Sequence, residues 1–545
     1  MFARVKKSGK YQYLQIVENR KEKGKVKQRV IATVGRMDQL QEKGRVETLI
    51  RSLSRFSEKA LLILSGKSEV SADTTTIGPT LIFQRLWEES GIEACIKKLL
   101  KGRKFEFDVE RAIFLTVLHR LMVSGSDRFC DKWRRDYLIP GTKHLDLHHL
   151  YRAMSFLGES VPEYEQASDF GPRRNKDLIE EMLFFDNRNL FSKLDLVFFD
   201  TTSIYFEGQG GDHFGRRGFS KDHRPDLHQM VVGAVLDDNG RPICCEMWPG
   251  NTTDVRTLLP EVKRLRNRFG ISNFCIVADR GMISKDTLKK LDEDQLPYIL
   301  GARMRRVKQI NTEILTRSGR YREVSQESDD RRKPAPLKVK EVFHEGMRYI
   351  ICLNERQARK DAADRQAILE SLERQLRKGP KSLVGNKGYR KYLKLAKDSA
   401  RIDTAKVKAE ARFDGKWVLA TNTELSADQV ALKYKELWRV ERMFRDVKSL
   451  LGTRPVYHQN DANIAGHVFC SFLALVLRKE LDQRLAASKH RFEWLEIKQD
   501  LKALKRVEIE EEGKRFAIRS ECKGACGKIF QSVHVALPPT IKELN

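Results

Sequence analysis

The sequence lacks several things that would place the protein elsewhere. No apolar run approaches the ~20 residues needed to span a bilayer, and the longest, around Val468–Leu477, is about half that and reads as a buried helix. Behind the basic start MFARVKKSGK there is no apolar stretch, so no secretory signal is expected there. Cysteine is scarce and odd in number: nine in all, with Cys244, Cys245, Cys275, Cys352 and Cys470 inside apolar segments. That usage fits buried thiols in a reducing cytoplasm, and argues against a disulfide framework. Cys522 and Cys526 in ECKGACGK have a ligand-like look, but no second pair stands at zinc spacing and only His534 follows. Acidic residues are the clearest deficit, with 75 Asp and Glu against 103 Lys and Arg, a net charge of +28 and a pI near 9.7. Such an excess points to a polyanionic partner, most often nucleic acid. A membrane surface is the weaker alternative, because membrane-binding basic segments are compact clusters and these charges run along the whole chain.

What is present is long enough for several domains, at 545 residues. Residues 1–40 alternate in strand fashion around the turn KEKGKVKQ and predict a β-hairpin; residues 1–30 alone carry ten Lys or Arg and two Glu. Lysines on such a rim either deter edge pairing or meet a DNA backbone. From 41 to 190 the pattern is helical, as in Val109–Met122 and His149–Leu157, and is read as a DNA-binding region.

At Leu194 the pattern changes. Leu196–Asp200 is a continuous apolar run closing on an aspartate, and Phe274–Asp279 is a second. Between them lie expected strands at Ile204–Glu207, His228–Leu236 and Pro242–Met247, then a helix over Val255–Phe269 with Asp254 placed as its N-cap. Tyr298–Ala302 is the next strand. Three strands, a helix and a further strand are the opening of an RNase H-like α/β sheet, whose sites gather at the carboxyl ends of strands. An aspartate ending one strand is usually a turn residue. Two of them in this topology are less easily dismissed.

The third acid lies in YKELWRVERMFRDVK, Tyr434–Lys448, which is expected to be one amphipathic helix with Leu432, Leu437, Val440, Phe444, Val447 and Leu451 supplying its apolar contacts. Tyr434, Glu441 and Lys448 are seven residues apart, so each step drifts only about 20° and the three share a stripe. Asp200, Asp279 and Glu441 form an oxygen-only set suited to two Mg²⁺ or Mn²⁺ ions and an in-line phosphoryl displacement. Tyr434 and Lys448 could then hold the strand by hydrogen bond and point charge.

These segments resemble an insertion-sequence transposase of the DDE class, in the group whose signature is Tyr, two residues, Arg, three residues, Glu, six residues, Lys. Tyr434, Glu441 and Lys448 match that spacing; FFDTTS and VADRGM match the two aspartate motifs. GFSKDHRPDLHQ (218–229), PGNTTD (249–254) and NIAGHVFCSFLAL (463–475) are also similar, and the likeness covers most of the chain. One departure stands out: the signature arginine falls on Leu437, so that either Arg439 or Arg445 takes over its phosphate contact or the subgroup does without it. The resemblance implies an RNase H-like core in two parts, 191–302 and 413–485, interrupted by a β-containing insertion domain at 303–412. That insertion includes RMRRVKQ, DDRRKPAP, a strand at Tyr349–Leu353 and a helix near Asp361–Arg377. The resemblance further implies cutting and joining of terminal inverted repeats into target DNA, with a homodimer on paired double-stranded ends, in a bacterial cytoplasm at the nucleoid. Trp417, in GKWVLATN, takes the place of an aromatic that stacks on a flipped base. The tail, 486–545, is a candidate for dimerisation, with a helix over Phe492–Leu504 and strands at Arg506–Ile509, Arg515–Arg519 and Ser532–Ala536. A non-transposing nuclease of the same fold and a catalytically silent DNA-binding derivative are the alternatives.

Overall fold

The computed structural model describes residues 2–22, 25–42, 46, 71–162, 174–187, 196–271, 274–324, 337–377, 391–396, 399–450, 452–511 and 514–544; DDRRKPAP and Leu451 lie outside them. The chain forms two compact units, one of Met1–Arg85, Trp133–Ile139 and Asp482–Asn545, the other of Leu86–Lys132 and Pro140–Leu481.

In the first unit the expected hairpin is present with one more strand. β1 (Phe2–Ser8), β2 (Tyr11–Glu22) and β3 (Lys25–Arg36) form an antiparallel meander. A second sheet takes β4 (Ser71–Thr76) beside β16 (Lys505–Glu511), β17 (Lys514–Arg519) and β18 (Ile541–Leu544). The strand expected at Ser532–Ala536 is instead the end of a helix, Cys526–Ser532, and the coil after it. Cys526, Ile529 and Phe530 are its buried apolar residues, and their spacing is helical.

The second unit is built on a nine-stranded sheet. Its central strands are β5 (Leu196–Tyr205), β6 (Gln229–Asp237), β7 (Pro242–Pro249), β8 (Cys275–Ala278) and β9 (Tyr298–Ala302), ordered β7-β6-β5-β8-β9. β5, β8 and β9 are parallel, while β6 runs antiparallel to β5 and β7 antiparallel to β6. β5 differs from expectation in one respect. It does not stop at Asp200 but continues through Thr201, Thr202, Ser203 and Ile204, because β-branched residues keep pairing with β6. The sheet then extends past β9 through β15 (Lys416–Thr421), β12 (Met347–Asn354), β11 (Leu337–His344) and β10 (Arg322–Val324). Strands of the 303–412 segment therefore lengthen the same sheet. The rest of that segment includes a helix, Glu355–Arg377, and a small hairpin of β13 (Leu393–Ala396) and β14 (Ser399–Ile402).

One face of the sheet packs on the helix Asp254–Phe269, with Val197, Phe199, Ile276 and Ala278 against Leu258, Val262 and Leu265. Thr253, not Asp254, is the N-cap of that helix, and Gly270 ends it in the left-handed conformation at φ +62°. Helices Ala427–Lys435 and Trp438–Arg445 lie across the sheet, the first against β8, β9, β11 and β12, the second against β5 and β6. The edge strand β7 is covered by the helix Asn175–Asp186. The Cys245 N–H donates to Glu180 (2.9 Å), and Lys176 donates to the Cys245 carbonyl (2.7 Å). These side chains satisfy backbone groups that an open edge would offer to another chain. Arg268 completes the cluster, bonding Glu181 at 2.7 Å, Glu246 at 2.9 Å and Glu180 at 3.1 Å, with 5% of its side chain exposed.

Candidate active site

The last pair in the parallel register of β5 and β8 is Phe199 with Ala278. The next residue on each strand is therefore Asp200 and Asp279, side by side on neighbours about 4.8 Å apart. Side chains alternate along a strand. Phe199 and Ala278 enter the core under the helix Asp254–Phe269, and the two aspartates turn the other way. β8 ends here because Arg280-Gly281-Met282 turns as a single 3₁₀ coil.

The pair is held asymmetrically. Asp200 Oδ1 accepts from the Thr201 N–H at 2.7 Å, and burial pushes its carboxyl up to about 7. The neighbouring Asp279 and Asp254 carboxylates add to that rise, while Lys221 and the Thr201 N–H oppose it. Asp279 Oδ1 accepts from the Tyr434 hydroxyl at 3.1 Å. Burial, and then the Asp279 charge, push the Tyr434 phenol above its ordinary value. The tyrosine ring fits only because residue 301 on β9 is glycine: a Cβ there would lie 2.4 Å from the Tyr434 oxygen and 2.8 Å from the Arg280 backbone nitrogen.

Two residues that the sequence did not mark as site residues, Lys221 and Asp254, complete this wall. Lys221 donates to the Thr201 carbonyl (2.7 Å) and hydroxyl (2.8 Å) and pairs with Asp254 at 3.2 Å. Thr201 in turn donates to Asp254 at 2.7 Å. Both sit in segments, GFSKDHRPDLHQ and PGNTTD, whose likeness to a family was visible, but helix capping was the stronger local explanation for Asp254. A cavity of about 690 Å³ opens beside them, lined by Phe219, Lys221, Asp254, Asp279, Arg280 and Arg303 among others. Phe219 is 85% exposed.

The acidic helix departs from the expected single rod. The segment Ala427–Lys435 ends, bonds tighten to the i→i+3 type from Glu436 to Val440, Trp438–Arg445 follows, and Asp446–Leu450 widens to a π-helix. Tyr434, Glu441 and Lys448 thus do not share one uniform stripe. Tyr434 reaches Asp279. Lys448 bonds Asp222 at 2.7 Å. Glu441 is exposed, on the helix that packs on β5 and β6. Among the described residues, the groups whose potential ligand atoms lie within 4.8 Å of one another are Asp127/His458/His467, Asp146/His148/His149 and Asp177/Glu180/Glu246. Asp200, Asp279 and Glu441 are not gathered that closely: the two aspartates adjoin, and the glutamate stands off in solvent.

The remaining candidates fall in different places. Leu437 is buried at 4% exposure, so this position faces the core and could not present an arginine to a ligand. Arg439 donates to the Asp238 carbonyl in the β6–β7 turn and pairs with Glu436 at 3.6 Å, while Arg445 is exposed. Trp417 sits within β15 opposite Cys352, half-buried, with its indole nitrogen enclosed and without a hydrogen-bond partner. Trp438, three residues before Glu441 and 50% exposed, is the aromatic that this surface presents.

The donor set fits a hard divalent cation: two adjacent, half-buried carboxylates, one of them desolvated at a cost that a bound cation would offset. Among the described residues, no helix is long and apolar enough to cross a membrane. Compared with known proteins, residues 3–68 match the model of the IS1634 family transposase N-terminal domain, and residues 191–477 match the transposase DDE domain. No curated protein matches the chain. The DDE match spans more than half of the sequence, carries with it an RNase H-like α/β fold, DNA binding and divalent-metal use, and contains every residue of the wall described above; the chain belongs to the DDE transposases of insertion sequences.

Proposed function

We propose that Asp200, Asp279 and Glu441 bind two Mg²⁺ or Mn²⁺ ions and that the protein cuts and joins the inverted-repeat ends of its element by phosphoryl transfer. The observation that carries this is the register of β5 and β8, which sets two carboxylates side by side, one of which, Asp279, lines a basic cavity. When bound, the ions supply charge stabilisation for an in-line displacement at phosphorus. The chain's own residues do the rest. Tyr434 fixes the orientation of Asp279 through its hydroxyl. Lys221 and Thr201 hold Asp254 beside them. Glu441, exposed on the helix that packs on β5 and β6, would supply the third carboxylate. Arg280 and Arg303 line the approach and attract the strand. Trp438 lies on the same helix face as Glu441 and offers a stacking surface for a base; Trp417, inside the sheet, is the weaker candidate for that role.

The test is cleavage of a plasmid carrying the element's ends, with Mg²⁺, by Asp200→Ala, Asp279→Ala and Glu441→Ala. Each variant is expected to lose cleavage while binding end DNA within about twofold of the parent, since each removes one carboxylate and no phosphate contact. Cutting by Asp279→Ala at the parent rate would overturn the assignment.

A further inference from the structure

Lys448 and Arg454 converge on a single carboxylate. Both reach Asp222 Oδ1, Lys448 at 2.7 Å and Arg454 at bonding distance. The Asp222 side chain is 7% exposed, and its other oxygen, Oδ2, is enclosed without a hydrogen-bond partner. Arg454 also lies over the Tyr205 ring, 5.8 Å from its centroid, at the end of the strand that carries Asp200. One residue before Asp222, Lys221 is bound to Thr201 and Asp254 in the wall of the active site. The loop from Ser220 to Arg224 is held by backbone-to-hydroxyl hydrogen bonds. The Lys221 N–H donates to Ser203 (2.8 Å), and the Ser220 hydroxyl accepts from the N–H groups of Asp222 and Arg224.

Charge makes this cluster incomplete. Two cations face one anion, and the flanking pairs, Lys221 with Asp254 and Arg224 with Asp226, cancel themselves. A net charge of about +1 remains, the complement of one phosphodiester. Lys448 is 11% exposed and burial lowers its affinity for the proton, opposed by the Asp222 charge. Arg454 is 28% exposed and, of the two, is the better placed to meet an incoming strand, with a planar fork of donors that one carboxylate oxygen cannot exhaust.

We propose that Lys448 and Arg454 form a two-cation site for one DNA phosphate, and that Asp222 is its positioning residue, keeping two mutually repelling cations together. Arg454, not Arg439 or Arg445, then supplies the guanidinium that position 437 lacks. The proposal deepens the transposase reading above, because it names a strand-binding group at the same site. It does not depend on metal binding.

The experiment measures affinity of the full chain for a 30-base-pair mixed-sequence duplex in EDTA, across a range of salt, so that the metal-ligand assignment plays no part. Arg454→Ala is expected to weaken binding about fivefold or more and to reduce the slope of log affinity against log salt by about 0.9. Arg454→Lys should keep the slope. Asp222→Asn should reproduce the loss seen in Arg454→Ala, and the double variant should add nothing further, as expected for residues acting as one unit. Thermal melting of each variant identifies unfolded protein, and Arg454→Lys, which keeps the ion pair, carries the test if Arg454→Ala does not fold: a changed slope in that variant would overturn the proposal. An unchanged slope in folded Arg454→Ala would do the same, as would tighter binding by Asp222→Asn, which would make Asp222 a competitor of the phosphate.

Discussion

Gly301→Ala isolates the contact between the acidic helix and the sheet. The added Cβ would sit 2.4 Å from the Tyr434 oxygen and 2.8 Å from the Arg280 nitrogen, where about 3.4 Å is the ordinary approach. The phenol must withdraw by about 1 Å, enough to break its 3.1 Å bond to Asp279. Overpacking of this kind costs about 1–3 kcal/mol, and a hydrogen bond to a charged group is worth about 1.5–3 kcal/mol more. Denaturant unfolding should therefore show a loss of about 2.5–6 kcal/mol. The decisive measurement is a double-mutant cycle with Tyr434→Phe, which removes the oxygen at 2.4 Å and leaves ring carbon at 3.2 Å or beyond. In that background Gly301→Ala should cost at least 1 kcal/mol less than in the parent. If the two losses simply add, the methyl is clashing with the Arg280 backbone alone and Tyr434 is not wedged against Gly301.

Two further outcomes concern the frame around the site. Arg268→Met leaves Glu180, Glu181 and Glu246 without their shared cation and should destabilise the second unit by about 3–5 kcal/mol, read by thermal melting. A loss under 1 kcal/mol would show the cluster to be dispensable. Asp237 is buried, and its carboxyl is pushed up to about 6 by that burial, the Arg241 N–H opposing. Between its ordinary value near 4 and about 6, the folded chain holds a proton that the unfolded chain has released, so this group's contribution to stability falls as pH rises through that window. Asp237→Asn should match the parent at pH 4 and exceed it at pH 7 by up to about 3 kcal/mol; equal pH slopes for both proteins would refute this.

The central sheet was legible because its strands are apolar runs of the right length bounded by turn residues, as in Cys275–Ala278 and Tyr298–Ala302. Asp200 and Asp279 stood out for the same reason, as the first charges after those runs. The continuation of β5 beyond Asp200 was not visible, since Thr-Thr-Ser serves a turn as well as a strand until β6 lies alongside. The ion pairs of the wall were hidden more deeply. Lys221 and Asp254 are 33 residues apart, Asp222 and Lys448 are 226 apart, and no local pattern links them. The tightening and widening of the Tyr434–Lys448 helix likewise follow from packing on the sheet, because the residues there are ordinary helix formers.

The neighbouring aspartates depend on how many residues precede each of them more than on which residues those are. Exchange of Val197 for isoleucine would leave both carboxylates where they are, but one residue inserted between Leu196 and Phe199 would move Asp200 to the other face, into the place of Thr201 beside Asp254, and bring a phenylalanine into its own place. Descendants of this chain can therefore drift in composition along β5 and β8 while tolerating no change in their length.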